Sequence, residues 1–177
     1  MSEQQVLDCE PSQDLGCLGG WIGAALLWIK SHDITTEDCW PYDGRLGFCT
    51  IHTCAWRRKF KIKEVMAVYP VGSEEAFAWA VARQPVAVTI SANETNLQFY
   101  NKSSGVYTGP CTGELNHAVV VVGYTRDAIS GMDCWILKNS WGPKWGDNGF
   151  FYMRKGADGR NGLCGIVKAN GFYPVPF

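Results

Sequence analysis

An α+β fold in two parts is predicted for this chain, with a helical, disulfide-rich part over residues 1–60 and a β-rich part over residues 61–177. Three observations carry that reading. Trp21, Ala24, Ala25 and Trp28 recur at helical spacing in the first part. The second part holds a β-branched run, Val119, Val120, Val121 and Val122, and further short apolar runs bounded by turn residues. With 46% apolar residues and 8 Trp, the 177-residue chain also has the material for a substantial core.

The elements follow in chain order. Cys9, a polar loop and Gly16-Cys17-Leu18-Gly19-Gly20 precede a helix over 21–30, which His32 and Asp33 end. Residues 34–55 read as irregular and rich in cysteine, with a turn at Pro41-Tyr42-Asp43-Gly44. The basic cluster from Trp56 to Lys61 suits a solvated strand edge better than a binding patch. Ile62, Val65 and Val68 mark the strand that enters the second part. Ser73 caps a short helix with Glu74 and Glu75 in its first turn, where the helix dipole favours acids. Phe77, Ala80 and Val81 form its apolar face, and Gln84-Pro85 stops it. Strands at 86–90, 105–108, 117–122, 135–137 and 149–153 then supply an antiparallel, barrel-like sheet. The valine run is expected to be buried on both faces and to end at Gly123.

Composition excludes several function classes. A net charge of -1 gives no long-range attraction to nucleic acid or an anionic membrane, and no apolar run reaches the roughly 18 residues of a membrane span. The chain has no Cys-x-x-Cys pair, and His32, His52 and His117 are scattered, so neither a metal nor a cofactor is expected. Eight cysteines point to an oxidising compartment and leave many pairings open. Asn93-Glu94-Thr95 and Asn101-Lys102-Ser103 are glycosylation sequons, relevant only in the secretory pathway. No secretory signal follows Met1.

The residues that point to chemistry lie between Asn116 and Trp145. Two neighbouring antiparallel strands joined through the polar 125–133 segment would bring His117 beside Asn139. An amide oxygen bonded to one imidazole nitrogen sets the tautomer and leaves the other aimed at a nucleophile, while Trp141 keeps water out. A single His beside an apolar run is more often a satisfied core residue. Here Asn116-His117-Ala118-Val119, Lys138-Asn139-Ser140-Trp141-Gly142 and Trp145-Gly146-Asp147-Asn148-Gly149-Phe150 occur in order. Together they resemble papain and the cathepsin L-like cysteine peptidases. The likeness runs on through Gly162-Leu163-Cys164-Gly165 to Phe172-Tyr173-Pro174 and covers nearly the whole chain.

The resemblance implies a papain-like two-lobe fold, with a helical left lobe, an antiparallel β-barrel-like right lobe and a cleft between them. It implies peptide-bond hydrolysis by a thiolate and an imidazole, with His117 as base, Asn139 as its orienter and Trp141 in support. It assigns substrate contacts to Gly19, Gly20, Trp21, Ile22, Thr89, Leu115, Asn116, Ala118 and Ala169. That set is largely apolar, so a bulky hydrophobic residue is expected at the second position before the cut. Core packing is the competing reading for Thr89 and Ala169. It also implies disulfides Cys9–Cys49 and Cys111–Cys164, which leaves Cys39 with Cys54 as an additional pair and Cys17 without its family partner.

One part of the pattern is missing. The family's nucleophile lies in a Cys-Gly-Ser-Cys-Trp segment near the mature N-terminus, and no such segment occurs here. Ser2-Glu3-Gln4-Gln5-Val6-Leu7-Asp8-Cys9 resembles a family segment beyond that nucleophile and its helix. Cys39-Trp40 runs into Pro41, and Cys134-Trp135 lies inside an apolar strand, so neither dipeptide replaces it. The chain is therefore expected to be a portion of a papain-like cysteine endopeptidase, without the N-terminal central helix and inactive in isolation. The alternatives are a non-catalytic pseudoprotease used for binding or structure, and one chain of a two-chain enzyme. Expected partners are a peptide or protein substrate of the parent enzyme, and the missing segment or another protein chain. The parent is expected to be secreted, lysosomal or vacuolar.

Overall fold

The computed structural model describes residues 1–10, 16–50, 59–157 and 159–177. Its contacts divide into two compact units, Met1–Met66 with Pro174–Phe177, and Ala67–Tyr173.

The first unit opens with a helix that the sequence reading passed over, α1 (Glu3–Cys9), capped by the Ser2 side chain, which accepts from the Gln5 backbone. Its glutamines are buried, and they pin the irregular segment that follows. Gln5 Oε1 accepts from the Thr35 backbone at 2.8 Å, and Gln4 donates to the Arg45 carbonyl at 2.7 Å while accepting from Asp43 N. A Cys9–Cys49 disulfide closes the same loop. Cys54 lies outside the described residues, and with it the expected Cys39–Cys54 pair. Helix α2 (Ile22–His32) forms where the helical spacing places it and ends at Asp33. Trp28 is its buried anchor, whereas Trp21 is the N-cap and is exposed, off the apolar face assigned to it. Short strands β1 (Ile34–Thr35) and β2 (Lys59–Phe60) pair antiparallel, and both residues of β2 are exposed.

Strand β3 (Ile62–Ala67) leads to the second unit and its helix α3 (Glu74–Val81). Ser73 caps α3 by accepting from Ala76 N, and Phe77 and Val81 are its buried residues. The remaining elements are β4 (Val86–Ile90), α4 (Thr95–Gln98), β5 (His117–Arg126), β6 (Asp133–Lys138), β7 (Phe150–Arg154) and β8 (Phe172–Pro176). Their sheet has the order β3-β8-β4-β5-β6-β7, with β4 to β7 antiparallel neighbours. The α+β class stands, but among the described residues the sheet is open and does not close into a barrel.

Alternation builds the core. Val86, Val88 and Ile90, Val119 and Val121, Trp135 and Leu137, and Phe151 and Met153 are all buried, and the Phe77 ring meets Trp135 edge-on at 5.1 Å. Each fully buried large side chain contributes about 1.5–3 kcal/mol. The valine run departs from expectation: Val119 and Val121 are buried while Val120 and Val122 are only half-buried, because β5 carries just one face to the core. Nor does Gly123 end the strand. The chain continues to Arg126 past a register shift between Val121 and Gly123. The expected strand at 105–108 is reduced to a bridge between Tyr107 and Met153, since Gly105 takes a positive φ and Gly109-Pro110 turns the chain away. Strand β8 lies outside the strands expected from sequence and includes Pro174 and Pro176, a residue type uncommon inside strands. No helix among the described residues is long and apolar enough to cross a membrane.

Candidate active site

Strand register assembles the site. Val121 faces Leu137 and Val120 faces Lys138, so the residue after β6, Asn139, reaches the stretch of β5 that starts at His117. Alternation gives His117 the same face of β5 as the buried Val119 and Val121. The site thus occupies the end of the core face.

There the Asn139 Oδ1 accepts from His117 Nε2 at 2.8 Å and also from the Ser140 backbone N–H at 2.8 Å. The second donor fixes which end of the amide is oxygen. Nε2 therefore carries a proton, and Nδ1 is the nitrogen left to accept one. Asn139 is buried, and its own N–H donates to the Gly149 carbonyl at 2.9 Å. The Trp141 ring lies 4.9 Å from the imidazole, tilted by 32°.

A residue to which the sequence reading gave no role supports this cover. Trp145 meets Trp141 edge-on at 5.0 Å and Phe151 at 5.4 Å, and its Nε1 donates to the Gln98 carbonyl. The aromatic contacts run without a break from the imidazole to the core. The Trp141 to Trp145 spacing was the signal for it.

The other assigned residues fall into separate groups. Thr89 pairs with Ala118 across β4 and β5, which puts their side chains next to each other on the face opposite His117. Asn116 is a brace: its backbone donates to Ile90 O, its Oδ1 accepts from Ala92 N at 2.8 Å, and its Nδ2 donates to the Asn93 side chain. Leu115 is half-buried and packs where a Cβ on Gly165 would collide with it. Ala169 is exposed beyond the 3-10 turn Leu163–Gly165. Gly19, Gly20, Trp21 and Ile22 belong to the first unit, Trp21 as the cap of α2 and Ile22 as its first residue.

Cys111 is bonded to Cys164, and Lys168 lies 2.8 Å from Glu114, whose carboxyl it holds below the usual range through a hydrogen bond and its charge. A cavity of about 350 Å³ is walled by Leu115, this disulfide and Lys168, but not by His117, Asn139 or Trp141.

The model of the papain family cysteine proteases matches residues 1–174 of this sequence. The chain belongs to that family. It is 38% identical over 182 residues to vignain from Vigna mungo, a match that covers 99% of this chain and 47% of the relative. Cysteine endopeptidase Rep1 from Oryza sativa subsp. japonica is 41% identical over 178 residues, with 100% and 47% covered. The structure of the bromelain protease from Ananas comosus in complex with the E64 inhibitor is similar with a TM-score of 0.89 and 36% identity, covering 100% of this chain and 78% of that one. The chain spans about half the length of the curated relatives it matches.

A papain-family site needs a thiol, and the cysteines can be sorted. Cys9, Cys49, Cys111 and Cys164 are in disulfides, while Cys17 and Cys134 are the free cysteines among the described residues. Cys134 is fully buried, and burial, aided by the Asp127 and Asp133 charges, pushes its thiol up. It pairs with Thr125, eight residues along β5 from His117, roughly 25 Å away. Cys17 is exposed on the 3-10 turn Gly16–Leu18 of the first unit.

Proposed function

We propose that this chain supplies the base and its orienting amide for peptide-bond hydrolysis by a thiolate, and that a cysteine outside these 177 residues supplies the thiolate. The observation that carries the reading is the 2.8 Å bond from His117 Nε2 to Asn139 Oδ1 beneath Trp141. With Nε2 held, Nδ1 is the atom that takes a thiol proton and later returns it to the leaving amine. The Asn139 oxygen keeps the ring in plane with that task and stabilises the imidazolium. Trp141 shields the bond from competing water.

Substrate selection follows from the apolar group. In the second unit, Thr89, Leu115, Ala118 and Ala169 carry no charge to offer a bound side chain, which favours Phe or Leu at the second position before the cut. Gly19 and Gly20, lacking side chains, admit a substrate backbone. The two disulfides support an oxidising location, secreted, lysosomal or vacuolar, for the parent enzyme.

Without the thiol, turnover falls by about 10⁴ to 10⁶, since members of a catalytic unit act together. A loss of about 10⁴ is roughly 5.5 kcal/mol of transition-state stabilisation. The purified chain should neither cleave a fluorogenic peptide with Phe or Leu at that position nor take up E64. Joining a papain-family N-terminal segment that carries Cys-Gly-Ser-Cys-Trp should restore both, and His117→Ala should abolish the restored turnover. Turnover by the chain alone, lost on His117→Ala, would demand a different nucleophile. A restored chain that binds peptide without cleaving it would favour a pseudoprotease.

A further inference from the structure

Phe99 is an anomaly in the second unit. It follows α4 directly and is 76% exposed, although Leu97 and Tyr100 on either side are buried. Two residues later stands Asn101, the acceptor of the sequon Asn101-Lys102-Ser103, with all three side chains exposed. Here the backbone is held tightly. Tyr100 is buried and donates its hydroxyl to the Gly105 carbonyl at 2.7 Å, and Asn101 and Ser104 form a reciprocal capping box around the 3-10 turn Lys102–Ser104. The Asn101 Oδ1 accepts from the Ser103 backbone at 3.0 Å and from the Ser103 hydroxyl at 2.5 Å. With its oxygen turned inward to Ser103, the amide nitrogen lies 3.5 Å from the Phe99 carbonyl, the backbone of the residue with the exposed ring.

From this geometry we infer that Asn101 is an N-glycosylation site whose first sugar covers the Phe99 ring. The sequon hydroxyl is already bonded to the acceptor amide through contacts only two residues apart, which need no partner from a distant part of the chain. In the transfer, Nδ2 attacks the anomeric carbon of a lipid-pyrophosphate-linked oligosaccharide. A C–N bond forms, the C–O bond to pyrophosphate breaks, the lipid pyrophosphate leaves with the electron pair, and one amide proton passes to the transferring enzyme. Nδ2 keeps its second proton for the Phe99 carbonyl. The apolar C–H face of the attached sugar then lies against an aromatic face that the protein leaves bare.

The other sequon lacks these features. The Asn93 oxygen is taken by Asn116 Nδ2, and its own Nδ2 lies 2.9 Å from where a Cβ on Gly113 would be. A sugar there would displace the 113 loop and break the brace beside His117.

The test is to express the chain behind a secretion signal in a eukaryotic host and map both sequons by peptide N-glycosidase in ¹⁸O water. Total cell protein is analysed, so that retained chains are also counted. Asn101 should be occupied severalfold more than Asn93, and Asn101→Gln or Ser103→Ala should each remove the main gel shift while Asn93→Gln leaves it. Trimming the glycan to its first sugar should preserve Tm, whereas complete removal should lower it, and Phe99→Ala should erase that difference. Equal or greater occupancy at Asn93, or a Tm response that Phe99→Ala leaves unchanged, would overturn the assignment.

Discussion

Replacing Gly146 by alanine should destabilise the chain by about 3 kcal/mol, and the same change four residues earlier, at Gly142, by only about 1 kcal/mol. Both glycines have a positive φ, +64° and +87°, so both variants suffer the left-handed backbone penalty of roughly 1 kcal/mol. They differ in what the new methyl group meets. At Gly142 nothing lies within 4 Å, whereas at Gly146 the Cβ would fall 2.3 Å from the Phe150 backbone oxygen. That oxygen accepts from Asp147 N at 2.8 Å, so relief of the clash opens a hydrogen bond worth about 1 kcal/mol. It also shifts the backbone next to Trp145, loosening the contacts with Trp141 and Phe151 by about another 1 kcal/mol. Urea unfolding followed by tryptophan fluorescence, with the slope unchanged, gives the two values directly. In a chain of this size the Gly146 variant should melt roughly 6–12 °C below the parent. Equal losses in the two variants would refute the steric argument, because only the backbone penalty would then be at work.

Asn139→Ala leaves the His117 Nε2–H and the Ser140 N–H without their shared acceptor, so urea titration should show a loss of about 1–3 kcal/mol even with no catalytic assay. Alkylation under native conditions, read by peptide mapping, should modify exposed Cys17 and spare Cys134 until the chain is unfolded, since burial both hides that thiol and suppresses its thiolate. Tyr100, Tyr107 and Tyr152 have pKa values raised in the fold, first by burial. The folded state then holds protons that the unfolded chain loses above about pH 10, so stability should fall as pH rises through that value, and Tyr100→Phe should flatten the dependence of the urea midpoint.

Where one local signal decided the structure, the sequence was legible. Ser73 with Glu74 and Glu75 marked α3, and the apolar run at 86–90 became β4 with its odd–even burial intact. The misses have physical causes. Helix α1 carries its own cue, Ser2 followed three residues later by Gln5, but its buried face includes polar glutamines whose partners, Thr35, Asp43 and Arg45, lie some 30 to 40 residues away. Strand β8 is masked by prolines that pattern reading counts as breakers, yet its sole residue paired with β4 is Phe172, before either of them. The four-valine run could not distinguish a strand buried on both faces from one buried on alternate residues, because a β-branched residue suits a half-covered face as well as a covered one.

The His117–Asn139 pair was legible for a reason that also explains why its support was not. Each partner sits at a strand end, on the core face, in the position where alternation would otherwise place an apolar side chain. A polar residue there breaks a regular pattern, and two such breaks on strands joined by one short connection have few places to meet but each other. Trp145 breaks no pattern. An aromatic residue near an apolar run looks like core, and by its contact with Phe151 it is core, while by its contact with Trp141 it is also part of the site. The same packing energy therefore stabilises the sheet and holds the imidazole cover in place. A substitution such as Gly146→Ala, which touches neither His117 nor Asn139, should consequently disturb the site and the fold together.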